Sequence, residues 1–493
     1  MRNSRAKSLV LAIDIGSSST RTALFDQGGR RLALTTASEH YSIRYTSDGG
    51  AELSPLILRR AAESCISATL RNWRDSRTLG RIPISAVGGS AFWHGLLGLD
   101  RQGRPITPVF TWADSRAAAD ATTLRKKISE KKVHARTGCM LRAIFWPAKL
   151  LWLGRTQPKT FRRVAVWVSP VDWIFQELFS LTGTSASMAS ATGLYNLWQR
   201  DWDDELCAIC GIDARKLAPI LDGAKDAPPG RRHDLAHARI FPAIGDGAAG
   251  NLGSGADQPG IVAVNVGTSA AVRMVQTIHE SAKTRLPFGL FRYVVDSGRV
   301  VMGGAVSNAG NLREWCLREL RLAQGSAVEN RIFNRAAAAK DVLTVLPFWV
   351  NERAPTWPEQ QHGLIDGLSQ ATTATQMIRA ITCSVFYRLA DILDLMEGST
   401  QRYRRIIVSG GILQSSAEIR LLADAIGRDV RVAREAEASL RGAAIHAWRE
   451  LGFEVKFRPA GTMVRCHKEL AAKHRKRRQR QRQLESLLER GRR

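Results

Sequence analysis

Two apolar runs, LVLAIDI ending at Ile15 and GIVAVNV ending at Val266, stand at corresponding places in the two halves of the chain. Their apolar residues follow one another instead of alternating with polar ones, which predicts central strands buried on both faces. Each run closes on a glycine, Gly16 or Gly267, followed by small hydroxylated residues. Glycine permits a tight turn or a close backbone approach, and the donors beside it can hold an anion. Aligning Ala12 with Ala263 sets AIDIGSSSTR on AVNVGTSAAV, an offset of 263 − 12 = 251 residues, about half the chain. In the first copy the turn leads into another strand, TRTALFD, and then into DQGGR, a hairpin signal. The recurrence predicts a duplicated domain that holds a phosphate between two hairpin turns.

A third glycine turn lies in IIVSGGILQSSAEIRLLADAIG. Here a strand at Ile406–Val408 meets Gly410 and Gly411, and a helix follows with apolar residues at Ile419, Leu422, Ala423 and Ile426. Strand, glycine and helix in that order let backbone approach a nucleotide, although the spacing is not that of a dinucleotide fingerprint. The pattern divides the chain at the Gly/Pro/Asp-rich joint GSGADQPG. Residues 1–255 form a first domain, 256–465 a second, and from Cys466 the sequence turns into a basic tail, 466–493, disordered or helical.

Length and composition add constraints. The 493 residues predict more than one domain, and 44% hydrophobic with 24% charged residues is ordinary globular usage. The anomaly is a formal charge of +27, which suits a polyanionic partner, an acidic membrane surface or simply a basic proteome. Seven scattered cysteines make no disulfide framework, and Cys207 with Cys210 is a lone CxxC pair better explained as a helix end than as a metal or redox site. The stretch LVLAI is too short for a secretory leader, and no run approaches a membrane span, so a soluble, cytoplasmic protein is expected.

With these pieces placed, the chain resembles the FGGY family of carbohydrate kinases, and within it the gluconate kinases. The resemblance runs from about Leu9 to Gly452 and rests on nine blocks in order. They are LAIDIGSSSTR, SAFWHGLLGLDRQGRPITPVFTWADSR, TGCMLRAIFWPAKLLWL, SPVDWIFQELFSLTG, IGDGAAGNLGSG, VNVGTSAAVR, LPFWVNERAPTW, SGGILQS and ASLRGAA. It implies an α/β fold of two actin-like (ribonuclease H-like) domains, with the active site in the cleft between them and ATP and magnesium as cofactors.

The resemblance also assigns roles. Asp246, in IGDGAAGNLG, reads by itself first as a helix cap; the resemblance reverses that and matches it to the general base, and both roles can coexist. Asp14 is the expected magnesium partner, acting through water, and its counterpart in the repeat is Asn265. Ser17, Ser18 and Thr20 match the first phosphate turn, and Gly267, Thr268 and Ser269 the second. Gly310, Gly411 and Ser415 match positions that face the adenine nucleotide, though Gly310 also reads as a packing glycine. Trp93, His94, Asp114 and Arg116 match the sugar side, where His94 alone would read as a structural histidine. Eight of the thirteen tryptophans lie between Trp93 and Trp202 and are expected to be mostly core. Asn351, Glu352 and Arg353 resemble a gluconate-kinase loop that usually has glycine in place of Asn351.

One block departs. Where gluconate-kinase-like chains carry His-Ser-Ser-Tyr before W-P-A-K-L, this one has Arg142-Ala143-Ile144-Phe145. Buried polar complementarity discriminates among sugars, so the departure bears on substrate identity. Arg142 is a candidate for an acidic substrate's carboxylate, or else a surface arginine.

Three functions follow. The first is magnesium-dependent phosphorylation of a sugar acid by ATP, with gluconate giving the 6-phosphate. The second keeps the fold with a ketopentose or polyol as acceptor. The third is a basic nucleic-acid-binding protein on a kinase fold, which the intact Asp14, Asp246 and glycine turns disfavour. The tail carries eleven Lys/Arg and three Asp/Glu, a net of 11 − 3 = +8, leaving 27 − 8 = +19 for the body, where it can steer anionic substrates. Lying past the last block, the tail reads as an appendage. A solvated, partly helical tail is preferred for it over nucleic-acid contact.

Overall fold

The computed structural model describes residues 8–221, 223–226, 233–323, 325–338, 342–359, 361–400, 403–433, 437–455 and 461–490. The N-terminal MRNSRAK and the last three residues of the basic tail lie outside them. The chain forms two units. One comprises Met1–Gly255, Arg292–Val301 and Glu437–Arg458, and the other Ala256–Phe291, Met302–Ala436 and Pro459–Arg493. The first break falls at the glycine-rich joint, but late segments return to the first unit, which the linear pattern did not indicate.

In the first unit the Leu9–Ile15 strand is fully buried, as its uninterrupted apolar run requires. It pairs antiparallel with Ser19–Phe25, placing Asp14 opposite Arg21, and parallel with Ile84–Ala91, placing Asp14 beside Ser90. Ile244–Gly245 adds a further parallel pairing to the end of Ile84–Ala91, with Gly245 opposite Ala91. Three segments therefore leave the sheet at the carboxyl ends of parallel strands, where open α/β sheets place their ligands. The helix Ala438–Glu450 covers the sheet, and Val10, Ala12, Phe25, Ala443 and Trp448 share its core. This helix meets Asp246–Ser254 backbone to backbone. A Cβ on Gly253 would lie 1.8 Å from the Ala438 carbonyl oxygen, and one on Gly442 1.8 Å from that of Ala249. A second core gathers Trp146, Trp152, Trp167 and Trp202. Six of the eight clustered tryptophans are buried, while Trp198 is exposed.

The second unit repeats the motif. Ile261–Val266 pairs antiparallel with Ala270–Thr277 and parallel with Arg405–Ser409, and Asn265 sits beside Ser409 as Asp14 sits beside Ser90. The sheet runs Arg299–Val306, Ala270–Thr277, Ile261–Val266, Arg405–Ser409, Val430–Val432, Met463–Val464. Its core centres on the long helix Ala374–Ser399.

The basic tail is not an appendage. Lys468–Arg490 is one helix that buries Leu470, Ala471, His474, Gln481 and Glu485 against this unit. The His474 Nδ1 lies 2.7 Å from the Tyr387 hydroxyl, Gln481 donates to the Ser384 carbonyl at 3.2 Å, and Arg477 to that of Ala338 at 2.7 Å. Arg478 and Arg482 pair with Asp391 at 3.3 and 2.6 Å. Among the described residues no helix is long and apolar enough to cross a membrane.

Candidate active site

Asp14 is the buried carboxylate of the first unit. Its Oδ1 accepts from the Ser90 hydroxyl, its register neighbour, and its Oδ2 from Ser439 at 2.8 Å. Burial pushes its pKa up, while the two hydroxyls and Arg21 oppose the rise. Arg21 itself pairs with Glu437. A carboxylate oxygen has room for more than one hydrogen bond, so each keeps acceptor capacity. Beyond Asp14 the chain turns sharply, with the Gly16 N–H donating to the Ser19 carbonyl at 2.8 Å. Ser17 is half-buried and Ser18 exposed in this turn, but Thr20 points inward, its hydroxyl 3.0 Å from that of Tyr41.

The residues expected on the sugar side divide in two. Trp93 lies flat enough on Gly245 that a Cβ there would sit 1.7 Å from its Nε1. The indole N–H donates to the Ser187 carbonyl at 3.2 Å, and the Ser187 hydroxyl accepts from the Gly245 N–H at 3.2 Å. Asp246 follows as the first residue of the Asp246–Ser254 helix, with Gly245 at the N-cap. The helix-cap expectation therefore shifts by one residue. Asp246 stands half-buried in the first turn, where the helix dipole favours negative charge.

His94 has φ +69°, a left-handed conformation uncommon for a residue with a side chain. Its Nδ1 is 2.7 Å from the Ala191 carbonyl oxygen, and its ring meets Phe145 and Tyr293 edge-on at 5.0 and 5.9 Å. Asp114 and Arg116, in contrast, are tied to each other. Arg116 Nε donates to Asp114 Oδ1 at 3.1 Å and its Nη2 to Glu52 at 2.7 Å, while its guanidinium stacks over Trp152 at 4.5 Å.

The RAIF departure is also resolved. Arg142 is not a surface arginine; it pairs with Glu130 at 3.0 Å, both side chains being 12% exposed. Phe145 is buried and packs on His94. Sequence reading missed Lys149, fully buried, whose Nζ donates to the carbonyls of His94, Thr111 and Phe110 at 3.0, 2.7 and 3.4 Å. Its signal was present, since a lysine inside the apolar helix Trp146–Thr156 has to find partners.

In the second unit three glycine turns converge. The Gly267 N–H donates to the Ser269 carbonyl at 2.9 Å, closing a turn one residue tighter than its counterpart, and Thr268 is exposed at its tip. Gly310 begins the helix Gly310–Glu319 and donates to the Gly267 carbonyl at 2.9 Å; a Cβ on it would lie 2.6 Å from that oxygen. Gly410, at φ +92°, comes as close to the Val266 carbonyl, and Gly411 opens the short turn Gly411–Gln414 beside it. Packing and approach to a ligand are thus compatible at Gly310. Ser415 caps the Ser416–Ile426 helix, accepting from the Glu418 N–H at 3.3 Å. Asn265 Nδ2 donates to the Ser409 hydroxyl at 3.1 Å, mirroring Asp14 and Ser90. Cys207 and Cys210 are both buried at the end of the Asp204–Ile209 helix, and burial pushes both thiols up.

Two family models match the chain, the N-terminal domain of the FGGY family of carbohydrate kinases over residues 9–228 and its C-terminal domain over 262–451. The chain belongs to the FGGY family of carbohydrate kinases. It is 28% identical over 456 residues to a gluconokinase of Bacillus subtilis (strain 168), covering 89% of this chain and 86% of that one. A xylulose kinase of Staphylococcus xylosus is 22% identical, with coverages of 89% and 90%. The fold matches the crystal structure of gluconate kinase from Lactobacillus acidophilus with a TM-score of 0.86 at 23% identity, covering 98% of each chain. The protein is accordingly an ATP-dependent sugar kinase with the two-domain, actin-like FGGY fold.

Proposed function

We propose that this kinase phosphorylates a sugar acid, with gluconate giving 6-phosphogluconate, and that Asp246 is its general base. The observation that carries the reading is the placement of Asp246. A half-buried carboxylate begins a helix immediately after a glycine whose missing side chain is filled by Trp93. That leaves an apolar ring, a histidine and an acceptor carboxylate around the end of the same parallel strands. The gluconokinase and gluconate kinase likenesses supply the substrate class.

Asp246 orients the acceptor hydroxyl and takes its proton as the oxygen attacks the γ-phosphorus of ATP in line, breaking the bond to the β-phosphate oxygen. Ser17, Ser18 and Thr268 offer hydroxyl donors for the phosphates, while Gly267 and Gly310, whose own N–H groups are bonded within the turn, allow a close backbone approach. Gly411 and Ser415 line the nucleotide side. Trp93 and His94 bind the sugar, and Asp114 and Arg116, being paired with one another, shape its surroundings.

Asp14 fits magnesium. It is a hard oxygen ligand with spare acceptor capacity on each oxygen, and magnesium is commonly held by one or two carboxylates together with substrate phosphates and waters. When bound, the ion neutralises charge developing on the β- and γ-phosphates. The seven free cysteines fit work in the reducing cytoplasm.

The test is a panel of gluconate, other sugar acids, ketopentoses and polyols in an ADP-release assay. Gluconate is expected to give the highest kcat/KM. A ketopentose or polyol preferred by tenfold or more would reassign the substrate while leaving the kinase reading intact.

A further inference from the structure

The helix Gly310–Glu319 is set against the Gly267 turn by two backbone bonds, Gly310 N–H to Gly267 and Asn311 N–H to Thr268, at 2.9 and 3.2 Å. What fixes the segment entering it is Glu352. This carboxylate is 2% exposed, and its Oε1 accepts from the Ser307 and Arg353 N–H groups at 2.6 and 2.8 Å. Its Oε2 accepts from Asn308 Nδ2 at 3.0 Å. Asn308, fully buried, also donates to the Val350 carbonyl at 3.0 Å and accepts from the Val350 N–H at 3.2 Å. Arg353 returns to the same segment, donating to the Ser307 hydroxyl and the Val306 carbonyl at 3.0 Å each. Both oxygens of Glu352 are thus occupied by donors two and three residues ahead of Gly310.

The far side of this loop is held by the C-terminal helix. Arg388, 1% exposed, donates to the Ala354 carbonyl at 3.1 Å and to the Thr356 hydroxyl at 2.9 Å. Its Nη1 meets Glu485 of the helix Lys468–Arg490 at 3.0 Å, and Glu485 also accepts from Thr356. Buried charges persist only when paired and hydrogen-bonded; Arg388 and Glu485 satisfy each other and hold Ala354 and Thr356, two and four residues past Glu352.

We propose that Glu352 is a positioning residue for the nucleotide, holding Ser307 and Asn308 so that the start of the Gly310 helix fixes the Gly267–Ser269 turn and its exposed Thr268 toward phosphate, with Glu485 as its distal anchor. The proposal rests on the assignment of these turns to ATP. It gives the C-terminal helix a role in donor binding that its composition conceals.

The test is Glu352→Gln in the full chain. An amide retains the shape but supplies only one oxygen to three donors, and its NH2 faces an N–H. The dissociation constant for ADP, measured by calorimetry, is expected to rise about tenfold, whereas KM for the acceptor found active in the panel changes less than twofold. Glu485→Gln is expected to act in the same direction by about threefold. A folded Glu352→Gln protein with ADP affinity within twofold of wild type overturns the proposal. If that variant does not fold, Thr356→Val, which removes the hydroxyl at nearly constant volume, is read instead, and an unchanged ADP affinity there overturns it equally. Gly310→Ala is the companion. If it weakens ADP while Glu352→Gln does not, the positioning role alone fails; if neither weakens ADP, the assignment of the turns fails and the positioning role with it. The calorimetry needs no sugar, so an error in the acceptor's identity leaves the outcome readable.

Discussion

The Lys149 ammonium donates to the carbonyl oxygen of His94 at 3.0 Å, and this bond pins a histidine whose backbone is left-handed. A strained residue persists only where its surroundings over-determine it. Here Lys149 holds the carbonyl, Ala191 holds Nδ1, and Phe145 packs on the ring. Burial lowers the Lys149 pKa to about 7, so the ammonium is kept in the interior by its carbonyl partners and not by solvent. Lys149→Met keeps the stem but removes the donor to the His94 carbonyl, while the Phe110 and Thr111 carbonyls keep the Leu96 and Asp114 N–H groups. It should cost about 1–3 kcal/mol of stability, the range for one unsatisfied buried group. In a protein still folded at 25 °C, the sugar KM should rise several-fold with ADP affinity unchanged. Urea unfolding and acceptor titrations check both, and an unaltered sugar KM refutes the link to His94.

Asp246→Asn separates chemistry from folding. The amide occupies the same first-turn position but takes up no proton. Turnover should fall by about 10²–10⁴-fold, the range for a positioned general base. ADP should still raise Tm as in the wild type, because Gly267, Gly310 and Gly411, proposed to hold the nucleotide, are in the other unit. Near-normal turnover in Asp246→Asn would remove the residue from the mechanism.

The repeat supplies its own substitution. Asn265 donates to Ser409 in the register where Asp14 accepts from Ser90. An amide is therefore already tolerated at this position of the motif, and Asp14→Asn should fold. It loses the charge and one of its two acceptor oxygens, and the serine facing the new NH2 turns to accept. The magnesium concentration giving half-maximal rate should rise by at least tenfold, with the sugar KM little changed. A magnesium dependence identical to wild type would show that Asp14 is a structural carboxylate bonded to two serines.

How much of this was legible depends on what each residue contributes to the linear pattern. The central strands and their glycine turns were visible because a strand buried on both faces is written as a continuous apolar run and its turn as glycine. The duplication was visible for the same reason. The C-terminal helix was not, since its inward face includes His474, Gln481 and Glu485, which read as solvated residues until Tyr387, Ser384 and Arg388 are set opposite them. The pairing of Arg142 is hidden for a similar reason. Its partner Glu130 lies twelve residues earlier, at the start of the Glu130–Thr137 helix, while Arg142 sits in the loop beyond it, and no local periodicity links them. The helix start at Asp246 is displaced by one residue from the expected cap, because the N-cap glycine before it has no side chain to advertise the position.

A pH effect follows from Asp172. It sits in the capping box with Ser169 at the start of the Pro170–Phe179 helix, and burial pushes its carboxyl up to about 7. The folded value lies above the unfolded 3.8, so between the two the folded state binds the extra proton. The contribution is present in full below about pH 4 and is lost as pH rises toward 7, with a slope of at most about 1.4 kcal/mol per pH unit. Asp172→Asn keeps an acceptor for the Ser169 N–H and cannot titrate. The difference in unfolding free energy between wild type and variant should therefore drift in the variant's favour from pH 4 to 7. A difference constant across that range would contradict the assignment.

Gly245→Ala tests whether the sugar side depends on the contact between Trp93 and the strand end. The added methyl would overlap the indole, whose Nε1 lies 1.7 Å from the Cβ position, so the ring must move or the strand must shift. Overpacking of this kind costs about 1–3 kcal/mol, and moving the ring breaks the indole bond to the Ser187 carbonyl. Because Asp246 is the next residue, the base is displaced along with the ring. The expected result is a lower Tm together with a fall in kcat and a rise in sugar KM, while ADP binding persists. A Trp93→Phe protein, which gives up the N–H but leaves room for the methyl, should recover part of the lost stability when combined with Gly245→Ala. A double variant no more stable than Gly245→Ala alone would mean that the methyl is accommodated elsewhere and that Trp93 does not set the position of Asp246.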